Sequence, residues 1–168
     1  MNVPLTTRIW LRFRRVARDQ QLRLSVLAIV VGVVAAFGAV LFREMIELVQ
    51  QGFFGISTER LASLAASLPG WRVVLAPALA GLFVGIFVKF ALRDQRSHGV
   101  AEVIEASAIH GGRMTLRDGL VSAIANAVSI GGGASVGREG PAIHLGAALA
   151  STCGGFFNLD RSQARIML

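Results

Sequence analysis

Apolar residues in this chain come in long unbroken runs between short charged clusters. From Leu24 to Phe42 no residue is charged, and Arg23 and Arg43 bracket the run. As a helix it is roughly 28 Å long, close to the ~30 Å hydrocarbon core of a bilayer. A second run, Val73 to Val88, lies between Arg72 and Lys89, with Phe90 to Leu92 as its extension. Pro77 falls one turn into that run, where it kinks a helix less than it would at the centre. Val100, Val103, Ile104 and Ala108 share a helical face, but His110-Gly111-Gly112 ends the segment. That leaves roughly 16 Å of helix, about half a bilayer, as in the discontinuous helices of transporters. Two further apolar helices are predicted over 119–135 and 141–157. The pattern predicts an all-α polytopic membrane protein with broken and half-length helices.

The polar stretches supply the topology. Arg8, Arg12 and Arg15 fall on one helical face and Ile9, Phe13 and Val16 on another, as in a helix lying on a membrane surface. A solvated basic tail is the alternative. The segment is a poor secretory signal, because the apolar run after Arg23 exceeds the usual apolar core of about 7–15 residues. Residues 44–70 read as a connecting loop with a short amphipathic helix around Leu61, Leu64, Ala65 and Leu68, ended by Pro69-Gly70. Arginine and lysine concentrate in the amino-terminal segment and in residues 89–98, which puts both on the cytoplasmic side and 44–70 outside. The expected organisation is a cytoplasmic surface helix over 1–22 and membrane-embedded helices over 23–168.

Composition agrees. Of the 168 residues, 54% are hydrophobic and 16% charged, against about 25% charged in an average soluble domain; mean hydropathy is +0.61. The formal charge of +7 comes from residues that flank apolar runs. No continuous basic face forms, so a membrane surface fits better than nucleic acid. Cys153 is the one cysteine, excluding an internal disulfide, and its small-residue run Ala150-Ser151-Thr152-Cys153-Gly154-Gly155 reads as helix packing.

The candidate chemistry lies in the last third. Between Gly119 and Leu159 only Arg138 and Glu139 are charged. A charge at bilayer depth costs about 2.5–3.5 kcal/mol on insertion scales, so the couple must face protein or water. Gly131-Gly132-Gly133 precedes it and Gly140-Pro141 follows. Proline suits the first turn of a helix, where its missing N–H is one the helix start leaves unbonded. Pro141 therefore places Gly137 to Gly140 at an amino-terminal end whose N–H groups and dipole attract anions. Glu139 can occupy such a site itself, as a tethered competitor that protonation or displacement removes. The alternative is that Arg138 and Glu139 pair with neighbours at an ordinary helix junction. A phosphate loop fits poorly: Gly132 and Gly137 have the spacing, but Arg138-Glu139 stand where lysine and serine or threonine belong. His110 and His144 lack metal-ligand spacing; His144 reads as a hydrogen-bonded core residue and Asn126 as a link between helices.

Gly137-Arg138-Glu139-Gly140-Pro141, with the glycine-rich turn before it and Ala142-Ile143-His144-Leu145-Gly146-Ala147 after it, resembles the Gly-Lys/Arg-Glu-Gly-Pro signature of the CLC chloride channels and antiporters. The likeness extends over essentially the whole chain and implies the N-terminal part of a CLC-type inverted-repeat fold. It implies that Glu139 is the gating glutamate, which also relays protons in antiporter members, and that Gly137, Arg138 and Gly140 belong to the anion site with Pro141 starting the helix. A second family motif, Gly-Ser-Gly-Ile-Pro-Glu, corresponds to Ser97-His98-Gly99-Val100-Ala101-Glu102. His98 stands where the family has its chloride-coordinating serine, and Ala101 where it has proline. His98 and Gly99 are candidate anion ligands, since a neutral imidazole donates one N–H; an ordinary polar role for His98 is equally open. The resemblance implies a non-enzymatic integral protein of the cell (inner) membrane, carrying chloride or a similar anion with a proton as partner in antiporter members. It implies no cofactor, metal or nucleic acid, and a homodimer for the full-length form. The family's second half and dimer-forming helices are expected downstream, so the chain reads as a truncated form, inactive alone; an inert or structural membrane fragment is the competing reading.

Overall fold

The computed structural model describes residues 20–55, 68–92, 99–157 and 159–168. The expected amino-terminal surface helix, the short helix expected before Pro69 and residues 93–98 of the expected cytoplasmic loop fall outside them. Among the described residues six helices follow in order: α1 Gln20–Phe54, α2 Gly70–Ala91, α3 Val100–Ala108, α4 Leu116–Gly131, α5 Glu139–Phe156 and α6 Arg161–Met167.

Helix α1 departs most from expectation. It continues for more than three turns beyond Arg43, through residues expected to form a loop. Two features carry it on. Arg43 Nε donates to Glu47 Oε1 at 3.0 Å, an i,i+4 pair on the exposed side. Phe42, Ile46 and Phe54 are buried, at spacings that keep one face on the core. The helix ends at Gly55, whose φ of 71° leaves the helical region while its N–H donates to the Gln51 carbonyl at 2.9 Å. At 35 residues it is about 52 Å long, more than a ~30 Å hydrocarbon core holds upright.

Helices α4 and α5 form the centre. Helix α1 packs against both, α2 against α4, and α3 and α6 against α5. One core cluster joins Phe42 and Ile46 of α1, Ala123 and Ala127 of α4, and Leu145 of α5. A second joins Val88 and Leu92 to Ala125. Small residues bring the backbones together, as in membrane bundles, where close packing replaces the hydrophobic drive. A Cβ added to Gly119 would stand 2.5 Å from the Ala148 Cβ, and one added to Gly131 would stand 2.6 Å from the Val49 Cβ.

The outward faces are apolar. Leu22–Phe54 and Gly70–Ala91 are long and apolar enough to cross a membrane, yet only 11% and 17% of their most apolar stretches are buried. A core helix of a water-soluble domain would be mostly buried. Here Ile29, Phe37, Leu82 and Phe90 turn outward, a surface suited to lipid chains.

Candidate functional site

The break between α4 and α5 is a defined turn. The Ala134 N–H donates to the Ser129 carbonyl and the Gly133 N–H to the Ile130 carbonyl, both at 3.0 Å. This is the Schellman pattern, with Gly133 at φ 99° in the position that needs a residue without Cβ. The chain then runs without regular structure to Arg138, whose φ of −78° and ψ of −12° are already helical.

Glu139 is the first residue of α5, so the helix begins two residues earlier than the proline suggested. Pro141 is third, still inside the first turn. The first returning bond runs from the Ala142 N–H to the Arg138 carbonyl at 3.2 Å. The amides of Glu139 and Gly140 lie before it, where a helix leaves N–H groups without intrahelical acceptors. Gly137, Arg138 and Glu139 are exposed, beside exposed Val136 and Ile143; Gly140 and Pro141 are half-buried.

Gly99 caps α3, whose nine residues match the expected half-length helix. The Gly99 N–H donates to Glu102 Oε2 at 2.7 Å. A carboxylate of the chain itself thus holds a donor that the sequence offered to an anion. Glu102 was not singled out as a site residue; its signal was an acidic residue three positions after the helix-capping glycine. His98 lies outside the described residues.

The two amino-terminal ends adjoin. A Cβ on Gly140 would lie 3.8 Å from Val100 Cγ2, an ordinary contact between the second residue of α5 and the first of α3. Residues 40 positions apart in sequence therefore bring two positive dipole ends to one place, each with a glutamate in its first turn. Such an arrangement can hold an anion without a full cationic charge.

His144 is buried in α5 at 2% exposure, as a core residue should be. Asn126 Nδ2 donates to the Ser122 carbonyl at 2.8 Å and to its Oγ at 3.3 Å, bonds that run along α4. Cys153 is half-buried in α5. A cavity of about 470 Å³ between α1, α4 and α5 is apolar, lined by residues such as Phe37, Leu41 and Leu149, and does not include Glu139.

Residues 80–168 match the family model described as voltage gated chloride channel, a stretch that holds the end of α2 and all of α3 to α6. The chain is 32% identical over 124 residues to a ClcB-like chloride channel protein of Ralstonia nicotianae, covering 74% of this chain and 29% of that protein. It is 35% identical over 135 residues to the voltage-gated ClC-type chloride channel ClcB of Escherichia coli O139:H28, covering 78% and 31%. The ClcB of Shigella boydii serotype 18 gives the same figures. The chain thus spans about three-tenths of the length of the curated relatives it matches. No solved structure matches it significantly.

Proposed function

Because the chain belongs to the voltage-gated chloride channel family, we propose that residues 99–157 form part of an anion pathway through a membrane, with Glu139 as its gate. The observation that carries this is the meeting of two helix amino-terminal ends at Val100 and Gly140, beside a carboxylate on the first residue of α5. The anion is chloride or a similar halide. It rests near the free N–H groups at the start of α5, from which Glu139 is displaced or where Glu139 is neutralised by a proton. The first route gives channel-like passage; the second couples anion movement to protons. Arg138, Gly137 and Gly140 shape the same end, and Gly99 contributes the neighbouring one.

Glu139 lies on an open face of the described residues, so these residues do not enclose a path by themselves. The 168-residue chain alone is therefore expected to give no selective anion flux in liposomes. The positive test is a chimaera in which this chain replaces the matching segment of the Escherichia coli ClcB. Chloride efflux with measurable proton movement, altered by Glu139→Gln, supports the gating role. Flux that ignores the substitution refutes it. A chimaera that inserts and folds but carries no anion favours an inert scaffold.

A further inference from the structure

The short helix α3 has one end in the candidate site and the other under α6. Its nine residues make a rod of about 14 Å. At the far end, Arg165 Nη2 donates to the Ala108 carbonyl at 2.9 Å, across 57 residues of sequence. Cations are favoured at helix carboxyl ends, where carbonyls lack partners and the dipole is negative. The turn after α3 is shaped to receive α6. Gly111 and Gly112 have φ of 63° and 78°, and a Cβ on Gly112 would stand 2.9 Å from the Ala164 carbonyl carbon. On Gly111 it would stand 3.3 Å from Arg161 Cγ. Helix α6 thus sits on the turn with no room for a side chain beneath it, and Arg165 grips the rod's end.

A helix this short moves as a unit, so the point where its carboxyl end is held sets where its amino-terminal end lies. We propose that Arg165 is a positioning residue that holds Val100 of α3 against Gly140 at the start of α5. Its effect on anion passage rests on the Glu139 reading above, but the positioning itself does not. The two can therefore fail separately.

The test reads the junction directly. In the 168-residue chain carrying Cys153→Ser, the pair Val100→Cys and Gly140→Cys is oxidised in a bilayer or detergent, and the rate of disulfide formation is followed. A side chain at 140 would meet that of Val100 in ordinary contact, which places the two positions side by side. Arg165→Ala is expected to slow trapping about fivefold, the population change that losing one such hydrogen bond brings. Arg165→Lys, which keeps the charge and a donor, should restore part of the rate, whereas a merely structural loss would show as lower helix content by circular dichroism. An unchanged rate in Arg165→Ala overturns the proposal. If Arg165→Ala lowers helix content, Gly112→Ala lifts the other side of the same seat; slowing there supports the proposal and an unchanged rate overturns it.

Discussion

Helices α3 and α5 begin side by side and use a glutamate differently. At the start of α3 the Glu102 carboxylate accepts the Gly99 N–H at 2.7 Å. At the start of α5, Glu139 is on the first residue, exposed, and three residues before the first returning helical bond. Both carboxylates sit where a helix dipole favours negative charge. Position within the turn separates them. A glutamate three residues past the cap reaches back to the capping N–H, whereas one on the first residue projects beyond the helix end. The first is bonded to the cap of its own helix; the second is exposed at the start of its helix.

That contrast can be broken in order of effect. The largest change is expected from Glu139→Gln in the chimaera. Glutamine cannot carry the proton or the charge, so proton movement should fall at least about tenfold relative to chloride movement, the factor that about 1.4 kcal/mol carries. Next comes the turn that delivers the chain to α5. Gly132 packs so tightly on the Ala80 Cβ that a side chain there must push α2 and α4 apart. Gly132→Leu should destabilise the chain by about 1–3 kcal/mol, read as a lower midpoint in a denaturant titration monitored by helix content. Glu102→Ala removes a cap and should cost about 1 kcal/mol by the same measurement, with Glu102→Gln, which still accepts a hydrogen bond, costing less. At the small end, Arg43→Ala breaks an exposed i,i+4 pair and should shift stability by no more than about 0.5 kcal/mol.

Much of this is legible in the sequence. Charge-free runs and their bracketing basic residues placed α1 and α2, because lipid demands apolar length. Glycine and proline marked the α4–α5 break, because only certain residues suit a helix end. Three features were not legible. The continuation of α1 past Arg43 was hidden, since charged residues on one face mask the buried spacing of Phe42, Ile46 and Phe54 on the other. The meeting of Val100 with Gly140 was hidden as well, because a contact across 40 residues leaves no local period to detect. The motifs named the two ends separately; packing put them together. Arg165 escaped notice for the same reason, its partner carbonyl lying 57 residues away.

The contrast between the two glutamates is tested most directly by the ratio of protons to chloride moved through the chimaera, measured side by side for Glu139→Gln and Glu102→Gln. Loss of proton movement in the first, with the ratio kept in the second, is the predicted result. A ratio that survives Glu139→Gln but collapses in Glu102→Gln would contradict it, because the carboxylate that moves would then be the one bonded to Gly99.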